Sequence, residues 1–211
     1  GNDMGIFDWL KKPKTNVDLL DEVIWLTKQA KFTGISASIG RCLAEPARPF
    51  AVLLVAHFRD CLEQLQAIVQ QGGFENVIAT TAENLTGRSA SRLGSDDSQT
   101  VVIIVAERHP LQAHDAAVTE SAQSLPCRCR LVHHVSLEDP MMQMFAGEWV
   151  QNVLQRLGMN EHEAIESRMV TRRIQAAAQK IENQAVSDMA ADSAEEWLER
   201  NCPDLWRTMQ R

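Results

Sequence analysis

The 211-residue sequence has no tyrosine, no long apolar run and no excess of basic side chains. It has 21 Lys and Arg against 28 Asp and Glu, a formal net charge of −7. Affinity for nucleic acid comes mainly from clustered basic side chains, so this balance argues against a nucleic-acid partner. No run of about 18 apolar residues could span a membrane, and the start lacks the apolar region of a secretory signal.

Cysteine is scarce, and its spacing excludes the common cysteine motifs. No pair has the C-x-x-C spacing of zinc and redox sites, and no His or Cys pair lies at zinc-finger distance. We therefore expect reduced thiols, as in a cytosolic protein, and no metal site. The five residues are Cys42, Cys61, Cys127, Cys129 and Cys202.

The motifs of several large enzyme classes are also missing. The sequence contains no G-x-x-x-x-G-K-[ST] phosphate loop, no G-x-G-x-x-G and no H-E-x-x-H. Residues 34–38, G-I-S-A-S, lack the second glycine of a nucleophile elbow. We therefore expect neither a catalytic residue nor a cofactor, with at most weak binding of ATP or ADP.

Apolar runs alternate with helical patterns through the first two thirds of the chain. Continuous apolar runs predict strands at residues 50–56, 77–80, 100–106 and 130–135, with helices near 62–73 and 111–125. Residues 17–43 repeat at helical spacing, although Gly34 and Gly40 weaken that helix. Alternating strands and helices favour an α/β fold with a parallel sheet of about four or five strands flanked by helices.

After residue 138 the pattern becomes helical only. One helix is expected before Gly158, and a capping box at residues 193–196 opens the last helix. We divide the chain into an N-terminal segment (1–16), an α/β domain (17–138) and a helical extension (139–211). Between the helix before Gly158 and the last helix, a long helix is predicted from the spacing of Ile165, Met169, Ile174, Ile181 and Ala185.

Two polar clusters stand out within this pattern. Glu107, Arg108 and His109 directly follow the clearest strand, and parallel sheets place ligand sites at the carboxyl ends of their strands. An ion pair that closes the strand end is the alternative. His133 and His134 lie within a strand and should point to opposite faces, one packed and one exposed.

The second half of the chain carries a family resemblance. Residues 136–150, S-L-E-D-P-M-M-Q-M-F-A-G-E-W-V, resemble the S-L-E-D-D-L-M-x-x-F-G stretch of the SecA preprotein-translocation ATPases. Residues 164–171, A-I-E-S-R-M-V-T, resemble the P-I-E-S-x-M-V-T/S of that family, and residues 175–182 its following helix. The E-R-H of residues 107–109 resembles its T-E-R-H-E-S.

This resemblance covers roughly residues 18–185 and implies a degenerate second motor domain with a RecA-like (helicase C-terminal-like) fold. Its vestigial nucleotide site would comprise Gly87, Arg88, Glu107, Arg108, His109 and Asp115. The first motor domain, with its phosphate loop and acidic metal motif, has no counterpart. Thr119, Ser121 and Ser124 stand where the family has its last three arginines.

We therefore expect a pseudo-ATPase that binds a protein, either a SecA-type motor or another translocation component. The expected contact surface comprises Met141, Met142, Met144, Phe145 and Trp149, although core packing would explain the same spacing. The alternatives are a half-motor that completes an ATP-hydrolysing site in trans and a nucleotide-binding protein without hydrolysis. We expect a cytoplasmic protein, and residues 4–12 are compatible with peripheral contact with the inner membrane.

Overall fold

A computed structural model describes residues 15–85, 98–144, 152, 155–156, 158, 160, 162–165 and 168–210. Its centre is a parallel sheet of six strands in the order β1-β6-β5-β3-β4, with β2 pairing farther along β6. The parallel sheet with flanking helices is confirmed, and the expected number of strands was too low. The strands are β1 (Val17–Leu19), β2 (Val23–Trp25), β3 (Ala51–Ala56), β4 (Val77–Thr81), β5 (Thr100–Val105) and β6 (Arg128–Ser136).

The described residues contain six α-helices with assigned bounds. Thr27 caps the first by accepting a hydrogen bond from the Ala30 amide at 3.0 Å. The second ends at Gly72 and is capped by Gly73, whose φ of 56° is the left-handed conformation that glycine readily adopts. The helices are α1 (Lys28–Ala44), α2 (Arg59–Gly72), α3 (Gln112–Gln123), α4 (Arg168–Gln184), α5 (Ala194–Asn201) and α6 (Pro203–Met209).

The predicted helix over residues 17–43 is wrong in its first part. Residues 17–25 form β1 and β2, which both pair in parallel with β6, and the helix begins only at Lys28. Pairing decides the conformation here, because β-branched Val17, Val23 and Ile24 suit a strand and can pack against the sheet. Helical spacing of apolar residues over so short a stretch could not distinguish the two conformations.

The central strands follow the sequence pattern closely. All six residues of β3 are buried, and in β5 every residue after Thr100 is buried. Both faces of the sheet are covered: Ile35 of α1 and Leu65 of α2 pack on one face, and Val118 of α3 packs on the other. This two-sided burial explains why the strands are continuous apolar runs.

The C-terminal helices pack at the carboxyl ends of the strands. Side chains from α4, α5 and α6 share a core cluster with Phe58, Val135 and Leu137, which follow or end β3 and β6. Ser193 caps α5 as predicted by accepting a hydrogen bond from the Glu196 amide at 3.1 Å, whereas the Glu196 carboxylate accepts from the Asp192 amide at 2.7 Å rather than from Ser193. Ile165 is not helical as predicted; it forms an antiparallel bridge to Ile24.

All five cysteines are free thiols, with four buried and Cys42 half-buried. Among the described residues, no helix is long and apolar enough to cross a membrane.

Candidate functional site

Polar side chains gather where β3, β5 and β6 end. His57 follows β3, Glu107 to His109 follow β5, and Asp139 follows β6. Because neighbouring parallel strands end at one edge of the sheet, these residues meet although they are distant in sequence. The prediction that Glu107, Arg108 and His109 lie at a strand end is confirmed.

Glu107 lies at the centre of this edge and is buried. Its Oε1 accepts hydrogen bonds from the backbone amides of His57 at 2.9 Å and Phe58 at 3.0 Å. Burial raises the pKa of Glu107 to about 7, against the opposing charges of Lys31 and His57. Glu107 thus holds the turn after β3 in place, and its carboxyl group titrates near neutral pH.

Arg108 and Asp115 form a second group beside Glu107. Arg108 Nε donates to Glu22 Oε1 at 2.6 Å, and its terminal nitrogen lies 3.4 Å from Asp115 Oδ2. Asp115 Oδ1 contacts His57 Nε2 at 2.8 Å and accepts from the His109 amide at 3.2 Å. Burial raises the pKa of Asp115, but the imidazoles of His133 and His57 outweigh it and hold the pKa well below its ordinary value.

The ion pair expected at this strand end therefore exists, but Arg108 pairs with Glu22 and Asp115 rather than with Glu107. The sequence analysis overlooked Glu22 and His57. His57 could have been found, because the rule that selects residues after β5 applies equally to residues after β3.

His109 packs inside an aromatic cluster. Its ring stacks on His114, with centroids 3.8 Å apart, and on Phe58, and it meets Trp197 of α5 edge-on. Burial, with the nearby His114 and His57, lowers the pKa of His109 to about 3, so the ring is neutral. Its Nδ1 accepts a hydrogen bond from the Leu111 amide at 3.0 Å.

His109, His114 and Asp188 have the residue types of a metal site, with potential ligand atoms within 4.8 Å of one another. The rings of His109 and His114 are stacked with an interplanar angle of 27°. A metal ion must lie in the plane of each imidazole about 2 Å from its nitrogen, which two stacked rings do not permit together. His114 Nε2 instead contacts Asp188 Oδ2 at 2.7 Å, which ties α3 to the segment before α5.

A buried ion pair, which the sequence analysis also overlooked, lies on the opposite face. Lys31 Nζ donates to Asp139 Oδ1 at 2.8 Å, with only 3% of the lysine side chain exposed. Burial lowers the pKa of Lys31, but the charge of Asp139 outweighs it and raises the pKa above its ordinary value. The pair joins α1 to the turn after β6, since Asp139 also accepts from the Ser136 amide and hydroxyl.

His133 and His134 point to opposite faces, as predicted, but the expectation that one is exposed is wrong. Both are buried, since β6 lies inside the sheet with helices on both faces. His134 Nδ1 accepts from Trp25 Nε1 at 3.2 Å. His133 Nε2 has no hydrogen-bond partner and lies 3.8 Å from Asp115 Oδ1.

The methionines do not form the exposed docking surface that was expected. Met141 and Met142 are buried in the core cluster with α4 and α5, and Met144 packs half-buried against it. Core packing, the alternative interpretation, is therefore the observed one for Met141 and Met142. Gly87, Arg88, Phe145 and Trp149 lie outside the described residues.

Two cavities open at this edge of the sheet. The larger, of about 890 Å³, lies between α1 and α2 and reaches Lys31, Glu107 and Asp139. The smaller, of about 400 Å³, lies between α3 and α4 and reaches Arg108, Asp115 and His133. Both volumes are in the range of small-molecule sites.

Comparison with known proteins identifies the relatives of this chain. The chain is 31% identical over 182 residues to the protein translocase subunit SecA of Campylobacter lari, which covers 81% of this chain and 21% of that protein. It is 56% identical over 48 residues to the protein translocase subunit SecA 1 of Rhodopirellula baltica, which covers 23% of this chain and 4% of that protein. The chain is a SecA relative.

The resemblance to the SecA family is thus confirmed, and the chain spans about a fifth of the length of the SecA proteins it matches. No protein-family model matches it. The solved C-terminal part of the Fun30 ATPase domain aligns with a TM-score of 0.35 and 10% identity, covering 74% of this chain and 54% of that chain. A TM-score this low does not establish a shared fold.

Proposed function

We propose that this SecA relative acts in protein translocation as a protein-binding module and does not hydrolyse ATP by itself. The main support is the position of the C-terminal helices. Ligands of parallel α/β sheets bind at the carboxyl ends of the strands. Here the chain's own α4, α5 and α6 pack on Phe58, Val135 and Leu137 at that edge and divide it into two cavities, one between α1 and α2 and one between α3 and α4.

The charges at this edge give further support. Arg108 lines both cavities at this edge, but its guanidinium already contacts Glu22 and Asp115. The resemblance leads one to expect arginine at positions 119 and 124. The hydroxyls of Thr119 and Ser124 stand there instead and donate hydrogen bonds to nearby backbone carbonyls. An arginine that stabilises phosphoryl transfer contributes about 10³ to 10⁵ in rate.

Phosphate release from ATP by the purified chain tests the absence of hydrolysis. We expect no release above the rate in buffer, for the wild type and for Arg108→Ala alike. ATP turnover by the wild type that disappears in Arg108→Ala would contradict the proposal, because it would require a working phosphate site at this edge. Arg48→Ala is a control for the loss of a positive charge elsewhere on the chain.

The protein partner proposed here is a SecA-type motor of the same cell. Two strand edges offer a surface: β1 and β4 end the sheet within the described residues, and each exposes an apolar residue, Leu19 and Ile78. Exposed strand edges pair readily with an added strand. Calorimetric titration of purified SecA into wild type, Leu19→Ser and Ile78→Ser should show saturable binding that one substitution weakens and the other leaves unchanged.

Binding that neither substitution changes would move the contact to another surface. No saturable binding to SecA or to purified channel components would contradict the binding-module proposal. Mixing the same samples with ATP tests the half-motor alternative. The Arg108 side chain is 29% exposed, so it is accessible to a nucleotide held by another chain. That alternative requires hydrolysis above that of SecA alone, with loss of the added rate in Arg108→Ala.

A further inference from the structure

The smaller cavity is a crevice between α3 and α4 with a polar floor and an apolar mouth. Its floor is formed by His133 of β6 and by Asp115 and Arg108, and Leu19 and Leu20 lie among its lining residues. None of these side chains comes from the core cluster that fixes α5 and α6 on the sheet, although Met141, Ile174 and Ala178 of that cluster also line the crevice. The crevice therefore opens beside the covered strand ends.

His133 is the reason to expect a ligand in the crevice. Its side chain is 8% exposed, and Nε2 is buried without any hydrogen-bond partner. A buried polar atom left without a partner costs about 1–3 kcal/mol, and such atoms are rare in folded proteins. Phenylalanine would fill the same space without an unpaired nitrogen, so the imidazole at this position indicates a hydrogen bond that the free chain leaves unmade.

Asp115 provides a second acceptor beside His133. Its Oδ1 already has two partners, whereas its Oδ2 has one distant contact, the Arg108 nitrogen at 3.4 Å. A carboxylate oxygen accepts two hydrogen bonds readily. Burial lowers the pKa of His133 against the opposing effect of Asp115, which favours the neutral ring, and Nε2 is an acceptor in the tautomer that carries its proton on Nδ1.

The charge in the crevice favours a cation. Two carboxylates, Glu22 and Asp115, contact the guanidinium of Arg108 at 2.6 and 3.4 Å, and Asp115 also contacts the His57 ring at 2.8 Å. A positive group in the crevice would be attracted by both carboxylates, and His133 Nε2 and Asp115 Oδ2 could accept hydrogen bonds from it. A positive group that donates hydrogen bonds matches these acceptors better than an anion.

The mouth of the crevice favours an apolar part next to the cation. Leu19 is 61% exposed and Leu20 is 37% exposed, and Leu131 and Ile174 continue the apolar lining inward. Adjacent exposed leucines bury apolar surface when a ligand covers them.

We propose that this crevice binds a cationic, hydrogen-bond-donating head on an apolar stem, with His133 Nε2 and Asp115 Oδ2 as acceptors for the head. The head has the chemistry of an alkylguanidinium or alkylammonium group. It could belong to a free small molecule or to a basic side chain of a protein partner. The proposal does not depend on the translocation role, because its probes are free small molecules, although the crevice shares Leu19 with the β1 edge.

Matched probes test the charge requirement on the full chain. Hexylguanidine and hexylurea have the same stem, and they differ in the charge and donor number of the head. We expect hexylguanidine to bind saturably and at least about tenfold more tightly than hexylurea by calorimetry, since hydrogen bonds to charged groups contribute that much. Equal binding of the two probes, or no saturable binding of either, would overturn the proposal.

Variants test the position of the head. His133→Phe should leave the thermal midpoint of the free chain equal or higher, yet weaken hexylguanidine by about tenfold or more. His162→Phe, at an exposed position outside the crevice lining, is the matched control and should change neither. If His133→Phe does not fold, Thr119→Trp provides the test, because a large side chain on α3 should fill the crevice and abolish binding.

Peptides distinguish the two sources of the head. A ten-residue peptide with one arginine between leucines is compared with its citrulline analogue and with hexylguanidine. Binding of the arginine peptide more tightly than hexylguanidine supports a partner side chain, and the reverse order supports a small molecule. Retained binding in both His133→Phe and Thr119→Trp would overturn the proposal for either source.

Discussion

At the scale of single residues, replacing either of two glycines of α1 by alanine should change the free energy of unfolding in opposite directions. A methyl group at Gly34 would overlap the ring of Trp25, which is buried and hydrogen-bonded to His134. At the exposed Gly40 a methyl group would meet nothing within 4 Å. Chemical denaturation should show Gly34→Ala destabilised by about 1–3 kcal/mol and Gly40→Ala stabilised by about 0.5–1 kcal/mol. Equal effects at the two positions would contradict this packing of Trp25.

The raised pKa of Glu107 predicts that the stability of the fold depends on pH. Burial raises its pKa from 4.5 to about 7, so between these values the folded chain keeps a proton that the unfolded chain has lost. The contribution of Glu107 to stability is therefore greatest below pH 4.5 and falls by about 3 kcal/mol as the pH rises to 7. Urea unfolding of Glu107→Gln should show a gain over wild type at pH 8 and little gain at pH 4.5.

The glutamine can still accept the His57 and Phe58 amide hydrogen bonds, so Glu107→Gln changes charge more than structure. Glu63→Gln, where 62% of the glutamate side chain is exposed on α2, is the control and should lack the gain at pH 8. A wild-type pH profile that Glu107→Gln leaves unchanged would show that Glu107 does not carry this effect.

At the scale of elements, Asn201 holds the segment before α5 against that helix. Asn201 is fully buried; its Oδ1 accepts from the Ser187 hydroxyl and the Met189 amide, both at 2.7 Å. Its Nδ2 donates to the Met189 and Trp197 carbonyls, both at 2.9 Å. Asn201→Asp should destabilise the fold by about 3 kcal/mol or more, because a carboxylate would face two carbonyls.

Hydrogen exchange should then show faster exchange of the Met189 amide in Asn201→Asp than in wild type. Asn183→Asp, at an exposed position on α4, is the matched control and should leave this amide unchanged. Unchanged exchange at Met189 in Asn201→Asp would mean that other contacts hold this segment.

At the scale of the whole molecule, the helical extension and the sheet share one core. Trp197, Leu198 and Leu205 of α5 and α6 lie in the same cluster as Phe58 and Val135. A chain that ends at residue 184 should therefore expose the strand ends, bind a hydrophobic dye and lose its cooperative thermal transition. A cooperative transition at the wild-type temperature would show that the chain up to residue 184 folds without α5 and α6.

The sequence analysis succeeded where neighbouring residues decide the structure. The strands β3 and β5 were predictable because burial on both faces requires a continuous apolar run, as at residues 51–56. The start of α5 was predictable because its cap is made by Ser193 and Glu196, three residues apart. The strands β1 and β2 were not predictable, because a short stretch of sequence carries no information on their pairing with the distant β6.

The sequence by itself determined the α/β fold, the SecA resemblance and the position of Glu107, Arg108 and His109 after a strand. Only the tertiary structure decided what these residues contact. Lys31 and Asp139 are 108 positions apart, and His57 and Asp115 are 58 apart, yet each pair lies within 2.8 Å. Local pattern encodes conformation and burial, whereas the partners of a polar group depend on which strand ends the fold brings together.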